Sequence, residues 1–107
     1  MQEKFRDPAG FEATLTDACW AHITARHPVM EPFRESVAEA IRQPDGIHLG
    51  KRDPARRIYR KRYAHVPDVG DSLDLLVFVD GVDGYVATAY FRALSLRGLG
   101  DLIWPSE

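Results

Sequence analysis

Hydrophobic residues recur along this chain with two periods, and the change from one to the other near Pro44 separates a helical part from a strand-forming part. Cys19, Trp20, Ile23 and His27 fall three or four apart and make one apolar stripe. Thr16 stands where an N-cap belongs, Asp17 follows in the first turn, and Leu15 and Trp20 have the spacing of a hydrophobic staple. Pro28 disfavours helical geometry at His27, so the first helix is expected over Thr16–Arg26. A second helix is expected from near Glu31, with Pro32 in its first turn and Phe33, Val37 and Ile41 along one face. It ends before the turn signal Pro44-Asp45-Gly46. The polar residues 1–14, with Pro8-Ala9-Gly10, read as an extended, loosely held lead-in.

Beyond Gly46 the period is two. Strands are expected at Ile47–Leu49, Ile58–Ala64, Leu73–Val79 and Tyr85–Phe91, the last pair joined by a Gly81–Gly84 hairpin loop. Leu75-Leu76-Val77-Phe78 is apolar on both faces, as in a central strand covered on each side. The tail, residues 93–107, carries Leu99, Leu102, Ile103 and Trp104 and is too apolar to be solvated. It either folds back onto the sheet or meets a protein partner. Helix, helix and then four strands predict an α+β domain, an N-terminal helical pair packed on a four-stranded, mostly antiparallel sheet. No repeat or linker interrupts the pattern, so the chain is expected to be one domain with residues 15–92 as its core. Within that core Leu75, Val77, Phe78, Ala87, Ala89 and Phe91 are expected to meet Trp20, Ile23, Val37 and Ile41.

Composition narrows the setting. Hydrophobic residues make up 45% and charged residues 28%, which is a globular balance. No apolar run approaches the ~20 residues of a membrane span, and the start, MQEKFRDPAG, has no hydrophobic signal core. One cysteine, Cys19, leaves no internal disulfide framework. A cytoplasmic protein without a membrane partner is the expectation. The net charge of −2 hides a sharp asymmetry: Lys51–Arg62, KRDPARRIYRKR, holds seven cations and one anion, and the rest of the chain holds seven cations and fifteen anions. Local potential selects a polyanion, so this run points to nucleic acid despite the acidic remainder. The competing explanation is a strand edge kept from aggregating by its charges.

Alternation along the strands then nominates side chains. Val86, Thr88, Tyr90 and Arg92 fall on one face of the last strand, and Tyr85, Ala87, Ala89 and Phe91 on the face expected to pack on the helices. On the basic strand Arg57, Tyr59, Lys61 and Tyr63 alternate with Ile58, Arg60, Arg62 and Ala64. Cations interleaved with planar rings suit single-stranded nucleic acid, phosphates meeting the charges and bases stacking on the rings. Taken singly, such tyrosines and threonines are ordinary strand formers. His22 lies off the apolar stripe and is suited to proton transfer, whereas His27, before Pro28, reads as a capping or packing residue. Cys19, His22 and His27 do not make a metal site, because the two histidines lie about 140° apart around the helix. No metal or cofactor is expected.

The runs LTDACWAHITARHPVM, QPDGI, KRDPARRIYRKRY, LLVFVD and GYVATAYF resemble the phage-associated nuclease families grouped with barnase, EndoU, colicin-type ribonucleases and RelE-type toxins. The most specific pieces are Trp20-x-His22-Ile23-x-x-x-His27-Pro28 and Thr88-Ala89-Tyr90, and the likeness spans about Leu15–Arg92. The resemblance implies one or two helices ahead of a curved four-stranded sheet, and metal-independent cleavage of RNA. It also implies functional roles for His22, a basic-strand Arg or Lys, and Thr88 with Tyr90. The acidic remainder and the apolar tail depart from that pattern.

The basic run, the histidine and the resemblance together predict a small metal-independent ribonuclease, a toxin or mobile-element effector. In such a reaction the ribose 2′-OH attacks the adjacent phosphate, with a base, an acid and cations supplied by the protein. His22 is assigned proton transfer, Arg57 charge stabilisation, and Thr88 and Tyr90 the positioning of the phosphate. Lys51, Arg52, Tyr59, Lys61 and Arg92 are assigned to substrate binding. RNA is the expected partner, with a cognate inhibitor or other protein at the apolar tail. The alternative is a non-catalytic RNA- or protein-binding module on the same fold.

Overall fold

The computed structural model describes residues 1–106. The lead-in is not loose. Residues Gln2–Arg6 (β1) and Glu12–Thr16 (β2) pair as an antiparallel hairpin, Gln2 opposite Thr16 and Arg6 opposite Glu12. Asp7 Oδ1 accepts from the backbone N–H groups of Ala9 and Phe11 and closes the turn. The hairpin buries Phe5, Ala13 and Leu15, and the Thr14 N–H donates to the Gly84 carbonyl at 2.7 Å.

The first helix, α1, runs Asp17–Arg26, capped as its sequence requires: Thr16 Oγ1 accepts from the Cys19 N–H at 3.0 Å. The second starts later than expected. Pro28 and Pro32 lack the N–H donors an α-helix interior needs, and Pro28–Phe33 forms a 3-10 segment. α2 follows at Arg34–Arg42 and buries Val37, Ala38, Ala40 and Ile41.

Five strands, not four, make the main sheet: Gly46–Gly50 (β3), Arg56–Val66 (β4), Gly70–Asp80 (β5), Val86–Ala93 (β6) and Leu99–Trp104 (β7). Their order is β6-β5-β4-β3-β7, and every neighbouring pair is antiparallel. The extra strand is the apolar tail, which folds back along the outer edge of β3. β5 lies inside the sheet, as its double-faced apolar pattern predicts, with Leu75, Leu76 and Val77 fully buried.

The helices and the hairpin cover one face, over Ile47, Tyr59, Leu75, Val77, Val79 and Ala89. The other face carries a smaller cluster of Ile58, Leu76 and Leu99, with Phe78 and Tyr90 packed on it. Phe78 therefore sits on the face away from the helices, not in the core with Leu75 and Val77. The alternation expected on β6 breaks once. Phe78 pairs with Thr88 but Val79 pairs with Val86, so Ala87 is an inserted bulge residue. The bulge turns Val86 into the main core and leaves Thr88, Tyr90 and Arg92 on the open face. Among the described residues no helix is long and apolar enough to cross a membrane.

Candidate functional site

Two adjoining cavities share Arg56, a larger one on the open face and a smaller one where α1 meets β6. The smaller, about 390 Å³, is walled by His22 and Arg26 of α1, its cap His27, Thr88 and Tyr90 of β6, and Arg56 of β4. Ala87, the bulge residue, also lines it, so the bulge helps to form the cavity as well as to redirect Val86. The larger, about 940 Å³, is floored by Ile58 and Phe78. Its rim comes from Lys51, Arg52 and Asp53 in the β3–β4 loop, Arg56, Arg92, and Arg97 in the loop before β7. Arg56 lines both cavities.

Stacked rings run between the two. The Tyr90 ring lies 5.1 Å from the His27 ring and stacks on Phe78 at 5.5 Å and 27°. Thr88 Oγ1 and Arg92 Nε are buried without a hydrogen-bond partner among the described residues, although Arg92 Nη2 donates to the Ser95 carbonyl at 3.0 Å. Buried polar atoms in folded proteins are nearly all paired. Polar groups left unpaired beside a cavity are suited to hydrogen-bonding an occupant.

The structure brings His22, Thr88 and Tyr90 together, as the sequence reading grouped them, and sets Lys51, Arg52 and Arg92 at the larger cleft. It does not bring Arg57, Tyr59 and Lys61 to that face. The alternation of β4 is as expected, but the helices cover the side that carries them. Tyr59 is fully buried, and its hydroxyl donates to Asp7 Oδ2 at 2.6 Å. Arg57 Nη2 donates to the same oxygen at 3.0 Å. Lys61 Nζ donates to the Gln43 carbonyl at 2.7 Å and lies 4.0 Å from Glu39. Burial and the Asp7 carboxylate push the Tyr59 hydroxyl well above the ordinary tyrosine range. Burial works against the Arg57 charge, but hydrogen bonds to Tyr59 and Asp7 outweigh it and raise its pKa. These three side chains hold the fold together.

Arg56, one residue away on the opposite face, lines both cavities where Arg57 lines neither. It lay within the basic run, but only knowledge of the covered face separates the two. His27 caps α1 and packs on Tyr90, as its place before Pro28 suggests, and that packing sets it at the smaller cavity; Arg97, outside the basic run, lines the larger one. The remaining histidines are elsewhere. His48 is buried between β7 and Arg60, and His65, exposed near the far end of β4, pairs with Asp71 at 2.6 Å. Among the described residues no group of three His, Cys, Asp or Glu side chains is placed to hold a metal ion. The chain matches no family model, no curated protein and no solved structure.

Proposed function

We propose that the open face binds single-stranded RNA and that the smaller cavity cleaves it, making the protein a small metal-independent endoribonuclease of the toxin or mobile-element type. The observation that supports this is one cavity bounded by two imidazoles, a guanidinium and two hydroxyls, opening past Arg56 into a cationic cleft. In the reaction the 2′-oxygen attacks phosphorus in line and the P–O5′ bond breaks. One imidazole takes the 2′-OH proton and the other gives a proton to the departing O5′, so the products are a 2′,3′-cyclic phosphate and a 5′-hydroxyl. His22 and His27 are the two imidazoles. Arg56 stabilises the charge that gathers on the phosphoryl oxygens, and Thr88 and Tyr90 hold the phosphate in place.

Incubating the protein with end-labelled RNA in EDTA tests the reading, the expected product ending in a 2′,3′-cyclic phosphate. His22→Ala is expected to slow cleavage by about 10²–10⁴-fold, the usual effect of losing a positioned acid or base. Its melting temperature and RNA affinity stay close to wild type, because His22 is exposed. Cleavage retained in this variant removes His22 from the mechanism. A second reading, an RNA-binding module without chemistry, is favoured by the larger cleft, whose lining holds five cations and no histidine. Tight binding with no cleavage by the wild-type protein decides for it.

A further inference from the structure

We infer that the larger cleft is a nucleotide subsite, taking one base of the RNA strand on its apolar floor and the flanking phosphates on its cationic rim. For its cleavage readout this rests on the ribonuclease reading of the smaller cavity; for its binding readout it does not.

Much of the positive charge of the basic run is already engaged within the fold. Within the basic run Arg57 is held by Asp7, Lys61 by Glu39 and the Gln43 carbonyl, and Arg62 by Asp74 at 3.5 Å. Arg60 Nε donates to His48. By contrast, Lys51, Arg52, Arg92 and Arg97 make no salt bridge among the described residues, and Arg56 has only a 3.8 Å contact with the exposed Asp53. These five line the cleft. Five cations without close carboxylate partners thus converge on this one cavity, while Arg60 lies apart beside His48, and an occupant that satisfies the five is anionic.

The floor narrows the class. Ile58 is buried and Phe78 is half-buried, its ring stacked on Tyr90 of the neighbouring cavity. A flat apolar platform between cations fits a base with its phosphates, the arrangement by which proteins hold unpaired nucleotides. A duplex keeps its bases stacked inside and presents none to such a floor. Because Arg56 lines both cavities and the Tyr90–Phe78 stack joins one to the other, a strand seated at the histidines continues into the cleft past a cation and stacked rings. The volume, about 940 Å³, lies within the range of sites that enclose small ligands.

The test uses the full chain, a hexanucleotide RNA, its uncleavable 2′-deoxy counterpart, and a dinucleotide too short to fill both cavities. The double variant Arg52→Ala with Arg97→Ala is expected to fold normally, since both side chains are exposed and unpaired. It should lose the preference for hexanucleotide over dinucleotide in kcat/KM. Its log–log salt slope for binding the 2′-deoxy hexamer should flatten by about 1.4, two phosphate contacts at ~0.7 each. Phe78→Leu keeps apolar volume but removes the ring, and should weaken hexamer binding roughly tenfold. If the wild-type protein cleaves neither substrate, the ribonuclease reading fails while the binding arm still reads the cleft. Unchanged hexamer affinity and slope in both variants overturn the subsite. So does tighter binding, lost in the same variants, of a free nucleoside diphosphate or an acidic peptide.

Discussion

The carboxylate of Asp7 is fully enclosed, and hydrogen bonds from the Ala9 and Phe11 backbone, Arg57 and Tyr59 all end on it. It ties the β1–β2 turn to the covered face of β4, 50 residues away along the chain. Removing it strands a guanidinium and a phenol in the interior, the expensive way to break a buried pair. Asp7→Ala is expected to lower unfolding free energy by about 3–5 kcal/mol, measured by urea titration. Another residue sets a pH response. His48 is buried against β7, facing Arg60 of β4 and Asp74 of β5; burial first, then the Arg60 charge, holds its pKa below the ordinary 6.5. The folded state therefore prefers the neutral imidazole, and the unfolded chain binds the proton more readily. Stability is expected to be full above pH 6.5 and to fall as pH drops from there through the lowered pKa. Denaturant titrations from pH 8 to 5 check this, and in His48→Gln that part of the slope should vanish.

At the level of elements, the β3–β4 connection decides where two of the free cations stand. Gly50 closes β3 against the loop, and a Cβ there would run into the Asp53 carbonyl. Gly50→Ala should therefore displace the loop carrying Lys51 and Arg52, with RNA affinity falling several-fold. Melting temperature should change less, because the loop is exposed. A binding isotherm and a melting curve on the same variant separate the two effects. Of the hairpin ahead of α1 only the turn was legible in the sequence, as Pro8-Ala9-Gly10 between Phe5 and the Ala13, Leu15 pair, all three of those apolar residues being buried. Strands of five residues give too little alternation to be recognised before their partner is known.

Across the whole molecule, sorting charge by face replaces the block of twelve basic-run residues with two populations. Arg57 and Lys61 under the helices, and Arg60 and Arg62 beside His48 and Asp74, are internal partners, whereas Lys51, Arg52 and Arg56 at the larger cleft are available to a polyanion. RNA affinity should fall steeply with salt. Arg56→Ala or Arg92→Ala should flatten the log–log slope by about 0.7 each, the single-strand value per phosphate contact. Arg57→Ala and Lys61→Ala should leave that slope unchanged, and Arg57→Ala should lower stability instead, because Asp7 then loses its cation. A salt series on the four variants, read beside their melting curves, checks the assignment.

What the sequence by itself determined is local. The Thr16 cap and the first helix, the interior strand around Leu75–Val77 and the alternation on β4 follow from spacing, and spacing is set by backbone geometry within a few residues. The grouping of His22 with Thr88 and Tyr90 came from resemblance together with helix and strand periodicity, and the fold brings these residues to one cavity. On β6 the apolar Ala89 and Phe91 already marked the face the helices cover, but on β4 only tertiary packing decided it. A period of two says that Arg56 and Arg57 point opposite ways, but not which of them meets solvent. Asp7, carried on a distant turn, supplies the buried partner that draws Arg57 and Tyr59 inward. The Ala87 bulge and the docking of the tail on β3 are likewise long-range pairings, fixed by residues far apart in the chain.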